Sequence, residues 1–170
     1  MRGLRCLDGS SLAVLPVPAR DRGGAPFEVT LELRRDGAAF GAVGERCGHR
    51  LAALAAGVAA ARADGSPQAA RWPDPDDRFP GPEDGPGGEW ELFAFRYRER
   101  ADAPGCGELR CTLRTSARWV GSGDGGAWRV SRRAVVEAWG STGRGVRAVL
   151  TSGELFDFLT DLTGEIRSLP

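Results

Sequence analysis

The chain has 170 residues, with 23 arginines, no lysine and 23 acidic residues, so its formal net charge is zero. Balanced charge leaves no net field to draw in a polyanion, and the arginines alone are no ground for expecting nucleic acid as a partner. Hydrophobic residues make up 41% and charged residues 27%, a globular composition, and no apolar run approaches the roughly 20 residues that cross a bilayer.

Arginine without lysine, no asparagine, and Ile166 and Tyr97 as the only residues of their kinds are the mark of GC-rich codons and point to a high-GC bacterial genome. Met1–Cys6 runs on into Asp8-Gly9, Pro16 and Pro18 without a continuous apolar stretch, so no signal peptide is expected. With no export signal, Cys6, Cys47, Cys106 and Cys111 are expected to be reduced thiols in a cytoplasmic protein.

Arg5–Leu7 and Leu12–Val17 flank Asp8-Gly9 and predict a short hairpin. Pro16 and Pro18 place the second of these strands at a sheet edge or near its end. Phe27–Leu33 is the cleanest strand: Phe27, Val29, Leu31 and Leu33 face one way and Glu28, Thr30 and Glu32 the other. Asp36-Gly37 signals a second hairpin, with a weaker strand through Phe40–Val43. Cys47, Leu51, Leu54 and Val58 form a helical stripe, predicting a helix over 47–62 that Asp64-Gly65 ends.

Residues 64–89 form a loop rich in Pro, Gly and acids. It holds six of the 11 prolines and seven acids against Arg71 and Arg78. A loop this long inside a domain is functional or disordered. Trp90–Arg98 carries apolar residues on both faces at its start, as a central strand does, and then alternates Phe93, Phe95 and Tyr97 against Arg96 and Arg98. Glu108–Thr115 turns Leu109, Cys111 and Leu113 inward. Gly121–Gly126 is a loop between Trp119-Val120 and a long strand over Trp128–Trp139, and Gly140–Gly145 turns into Val146–Leu150.

The closing helix, 152–169, is the best specified. Thr151 and Glu154 fit a capping box, and Leu155, Leu159, Leu162, Ile166 and Leu169 form a stripe that Phe156 and Phe158 widen. The expected fold is α+β: a single domain over 1–170, built on a mostly antiparallel sheet with both helices on one face.

Few residues suggest chemistry. Cys47, His49, Cys106 and Cys111 are zinc-type ligands. Yet positions 47 and 49 of a helix point about 200° apart, and Cys47 and Cys111 share faces with core leucines. No metal and no cofactor is expected. His49 is the only histidine, so imidazole acid–base catalysis could rest only there. Gly121–Gly126 matches G-x-G-x-x-G by letter, but it lies between strands and opens no helix. Gly-x-Ser-x-Gly is absent.

What remains is binding chemistry. Asp74, Asp76 and Asp77, with Trp72 beside them, offer an acidic docking surface with an aromatic anchor. Arg96, Arg98 and Arg100 alternate onto one sheet face, which Arg129 and Arg133 can join as forks for carboxylates. The other tryptophans are expected mostly in the core.

Leu15-Pro16-Val17-Pro18-Ala19, with a strand soon after, is similar to the start of the SsgA-like sporulation regulators. The likeness runs no further than Leu33, under a fifth of the chain, and carries no site residues with it. The general layout also resembles small proteins of high-GC actinobacteria.

These features favour a non-enzymatic protein-binding module, of the immunity, antitoxin-like or accessory kind, with a protein partner and neither nucleic acid nor membrane. The alternative is a small-molecule-binding protein or small enzyme. Its pocket would lie between the sheet and the C-terminal helix, with Tyr97, Glu137 or His49 as polar groups. Self-association through an edge strand or a strip of helix is a third option.

Overall fold

Alternating side chains sort most of this chain into strands with one apolar face each. The computed structural model describes residues 3–20, 22–43, 47–62, 89–96, 107–121, 125–140, 143 and 145–169. Its strands are β1 (Leu4–Arg5), β2 (Ser11–Arg20), β3 (Pro26–Arg35) and β4 (Ala38–Val43), then β5 (Glu89–Arg96), β6 (Glu108–Val120), β7 (Ala127–Trp139) and β8 (Gly145–Leu150). Helix α1 (Cys47–Arg62) follows β4, and helix α2 (Ser152–Arg167) follows β8. The expected α+β class and antiparallel pairing are what the structure has. The strands divide into two four-stranded sheets, ordered β1-β2-β3-β4 and β5-β6-β7-β8, where one sheet was expected.

Local chemistry explains the turns. Asp36 and Gly37 both take positive φ, 49° and 84°, as a two-residue hairpin turn with the right twist requires. The Asp36 carboxylate also accepts the Ser11 backbone N–H at 2.8 Å. Pro16 and Pro18 sit inside β2, where β1 has already ended and β3 is the strand's only neighbour among the described residues. Their missing N–H groups fall on an edge, as the sequence suggests.

One expectation about strand position is corrected. The segment read as a central strand is β5, at the edge of its sheet. Its apparent two-sided hydrophobicity comes from a register shift between Glu91 and Phe93, which sets Leu92 out of the alternation. Phe93 and Phe95 are buried as expected, whereas Tyr97, Arg98 and Arg100 lie outside the described residues.

The two sheets meet at two seams. At the first, Cys6 bridges Ala148 antiparallel, and the Leu7 N–H donates to the Arg147 carbonyl at 2.8 Å, so the β1 end of one sheet continues onto β8 of the other. At the second, β4 crosses the end of the β6–β7 pair. Gly140 there lies so close to Phe40 that a Cβ would collide with its carbonyl, and a Cβ on Gly41 would come 2.9 Å from the Gly140 Cα. Only glycine fits that approach.

One apolar core gathers Leu12, Val14, Leu31 and Leu33 from the first sheet with Leu109, Cys111, Leu113 and Val136 from the second. Helix α1 contributes Cys47 and Leu51, and α2 contributes Leu155, Phe158, Leu159 and Leu162. The capping box of α2 is complete. Thr151 Oγ1 accepts the Glu154 N–H at 3.4 Å, and the Glu154 carboxylate accepts the Thr151 N–H at 2.8 Å. The helix ends at Arg167, two residues short of the expected boundary, with Ser168 as its C-cap.

Candidate functional site

Strands β6 and β7 are each 13 residues long and pair along their whole length. Their outer neighbours are shorter. β5 pairs with β6 only as far as Arg114, and β8 reaches β7 only at Ala134. Beyond those points the pairs from Thr115↔Arg132 to Val120↔Ala127 form a two-stranded ribbon, about 20 Å long at the usual rise per residue. Among the described residues, neither ribbon strand has a second neighbour there.

Register fixes what each face of the ribbon carries. Trp119↔Trp128 and Ala117↔Val130 continue the face on which Leu109, Cys111 and Leu113 enter the core. Past the end of the core the same alternation leaves them in solvent: Trp128 is 66% exposed, Val130 58% and Trp119 44%. The two indoles meet edge to face, with ring centroids 5.5 Å apart, and Trp119 lies over Gly126. Such a pair adds about 0.5–1.5 kcal/mol beyond its buried area, so the aromatic tip is ordered by its own contacts. On the opposite face Arg118 stands directly across from Arg129. Both are exposed, and among the described residues neither has an ion-pair partner. Like charges placed opposite each other weaken a strand pair.

The residues singled out from sequence have different fates. Trp72, Asp74, Asp76 and Asp77 lie outside the described residues, as does Arg98. Arg96, Arg129 and Arg133 do share the outer face of the second sheet. Arg96, however, is engaged: it donates to Glu108 and to Glu91, each at 2.9 Å. Arg133 is buried, with 3% exposure, and donates to the Arg132 carbonyl at 2.8 Å. Of the three, Arg129 is the one presented to solvent without an ion-pair partner among the described residues. Sequence reasoning missed Trp119, Trp128, Val130 and Arg118. The first two were expected in the core with the other tryptophans.

A second polar cluster lies on the outer face nearer the β1–β8 seam. The Glu137 carboxylate, 2% exposed, accepts from Arg110 and from Arg147, each at 2.7 Å. Burial pushes its pKa up, but the two arginine hydrogen bonds outweigh that, and the net shift is downward. Beside it opens a cleft of about 390 Å³, lined by Leu7, Asp8, Glu137, Trp139, Gly145, Val146 and Arg147. It lies on the side of the sheet away from α2. Beneath α2 itself, Leu155, Leu159 and Leu162 are packed against the core with at most 1% exposure.

The thiols belong to the core. Burial raises the pKa of Cys6, pushes Cys47 up to about 12, and raises Cys111 further. Among the described residues no three His, Cys, Asp or Glu groups gather as metal ligands. His49 is exposed on the first turn of α1, and Cys106 lies outside the described residues. Among the described residues no helix is long and apolar enough to cross a membrane.

No family profile, no curated protein and no solved structure matches the chain. The likeness of Leu15–Ala19 to SsgA-like regulators therefore rests on that segment alone.

Proposed function

We propose that this chain is a non-enzymatic protein-binding module whose contact surface is the β6–β7 ribbon. The observation that carries the proposal is the clustering of exposed apolar side chains. Trp119, Trp128 and Val130, three of the six large hydrophobic residues exposed among the described residues, sit together on one face of the ribbon tip. Contiguous apolar surface rimmed by polar groups marks interaction sites, and Trp and Arg are the residue types that dominate binding energy at such sites.

The test compares the wild-type protein with a Trp119→Ser/Trp128→Ser double variant in cross-linking capture from native lysate, over a range of salt concentrations. The wild type is expected to retain a stoichiometric partner and the variant to lose it while keeping its circular dichroism spectrum. Capture by neither protein, or by both equally, refutes the proposal. Light scattering on the same pair covers self-association: an oligomer that dissociates on the double substitution makes the ribbon a contact between copies.

The cleft beside Glu137 favours a second reading, a small-molecule site on the outer sheet face. Its volume falls within the range usual for ligand pockets. Trp139 offers an aromatic wall and Arg147 a half-exposed guanidinium. A thermal-shift screen of small carboxylates and aromatic compounds tests it, and hits must vanish in Arg147→Ala.

A further inference from the structure

Resting on the reading of the cleft beside Glu137 as a small-molecule site, we infer that its ligand is an aromatic α-amino acid. Arg147 takes the carboxylate, Asp8 takes the ammonium group, and the ring packs on Trp139 and Leu7.

The cleft forms where the two sheets join. Asp8 belongs to the turn between β1 and β2, whereas Glu137, Trp139 and Arg147 come from β7 and β8. The hydrogen bond from the Leu7 N–H to the Arg147 carbonyl holds the two walls together. One wall therefore supplies a carboxylate and the other a guanidinium.

Each of these groups has capacity left over. Arg147 gives its Nε and Nη2 to Glu137 Oε1, and its Nη1 has no hydrogen-bond partner among the described residues. Glu137 also accepts from Arg110, so two guanidiniums share one carboxylate and a single positive charge is left over. A ligand carboxylate at Nη1 balances that charge. Asp8 Oδ1 accepts both the backbone N–H and the hydroxyl of Ser10, while Oδ2 accepts from Arg35 alone. A carboxylate oxygen has room for about two donors, so Oδ2 can also take an ammonium N–H. The Asp8–Arg35 pair is 43% and 41% exposed, and pairs of that kind hold their partners weakly. A purely anionic ligand would bring its charge up to Asp8, and a purely cationic one would meet Arg147. A zwitterion answers both.

The ring follows from the apolar part of the lining. The Arg110 guanidinium carbon lies 5.0 Å from the centroid of the Trp139 ring. Gly145 leaves room for the indole, since a Cβ there would come 2.6 Å from it. Leu7, also at the cleft, is 63% exposed. An aromatic side chain laid on Trp139 and Leu7 takes apolar surface of both out of water. At about 390 Å³ the cleft is at the small end of ligand pockets, which suits a single amino acid.

The experiment uses the full chain in titration calorimetry, with L-phenylalanine as the probe. Two controls each lack one charge: 3-phenylpropanoate has no ammonium group, and phenethylamine has no carboxylate. Phenylalanine is expected to bind, and both controls to bind at least about tenfold more weakly. Asp8→Asn keeps an acceptor for Ser10 and removes the charge. It should bind 3-phenylpropanoate at least as tightly as the wild type does, which also shows that it is folded, and phenylalanine no more tightly than 3-phenylpropanoate. Because the ligand touches both sheets, phenylalanine should also slow hydrogen exchange at the Leu7 amide of the wild type.

Equal binding of phenylalanine and 3-phenylpropanoate by the wild type, a preference for phenylalanine that survives Asp8→Asn, or unchanged exchange at Leu7 overturns the inference. If carboxylates bind the wild type and not Arg147→Ala while phenylalanine has no advantage over 3-phenylpropanoate, the amino acid is wrong and the cleft remains a small-molecule site. If no carboxylate or aromatic compound binds in a way that depends on Arg147, both readings fall.

Discussion

Glu137 is a buried carboxylate held by two arginines that keep 31% and 47% of their own side-chain surface. Its pKa is lower in the folded chain than its ordinary value of 4.5. The stabilisation is therefore fully present above about pH 4.5 and is lost as the pH falls through the lower folded value. Glu137→Gln is expected to cost about 2 kcal/mol at pH 7, since it leaves charged donors facing a neutral amide, and partial solvation of the arginines limits the loss. Urea titrations at pH 7 and pH 3 check this: the gap between variant and wild type should be largest at pH 7 and narrow in acid. The thiols make a second residue-scale prediction. Cys6, Cys47 and Cys111 are buried with raised pKa values, so a thiol reagent at pH 7 should modify them only on the timescale of unfolding.

At the scale of elements, the cap of α2 and the glycine seam carry separate predictions. Thr151→Ala removes the hydroxyl acceptor of the capping box and should lower stability by about 1 kcal/mol, measured by denaturant unfolding. Gly140→Ala drives a methyl group into Phe40 and should cost about 3 kcal/mol, seen as a large drop in melting temperature. These two cases also show what was readable in advance. The capping box, the Asp36-Gly37 turn and the alternation that buries Leu31 and Leu33 are local patterns, and each formed where the spacing placed it. The seam was not readable, because the need for glycine at 140 is set by Phe40, a residue distant in the chain. The same holds for β5, whose bulge mimics the two-sided pattern of a central strand.

At the scale of the whole molecule, the candidate site is the part of β6 and β7 that extends beyond their neighbours among the described residues. Nothing in the run of Trp119, Trp128 and Val130 distinguishes a core pair from an exposed one, since they continue the inward face of Leu109–Leu113. The difference is that, among the described residues, β5 and β8 pair with β6 and β7 over only part of their length, which is a tertiary fact. Trp119→Ser/Trp128→Ser should accordingly raise solubility in ammonium sulfate precipitation while costing less than about 1.5 kcal/mol in denaturant unfolding. The bridge between Cys6 and Ala148 has a consequence in time as well as in space. These two residues lie far apart in the sequence, so a nascent polypeptide emerging from the ribosome can fold the β1–β4 sheet early but cannot join it to β8 until residue 150 has been made. The first sheet must wait, with its apolar face open, for the strands and the helix that cover it, and over that interval it is most in need of a chaperone.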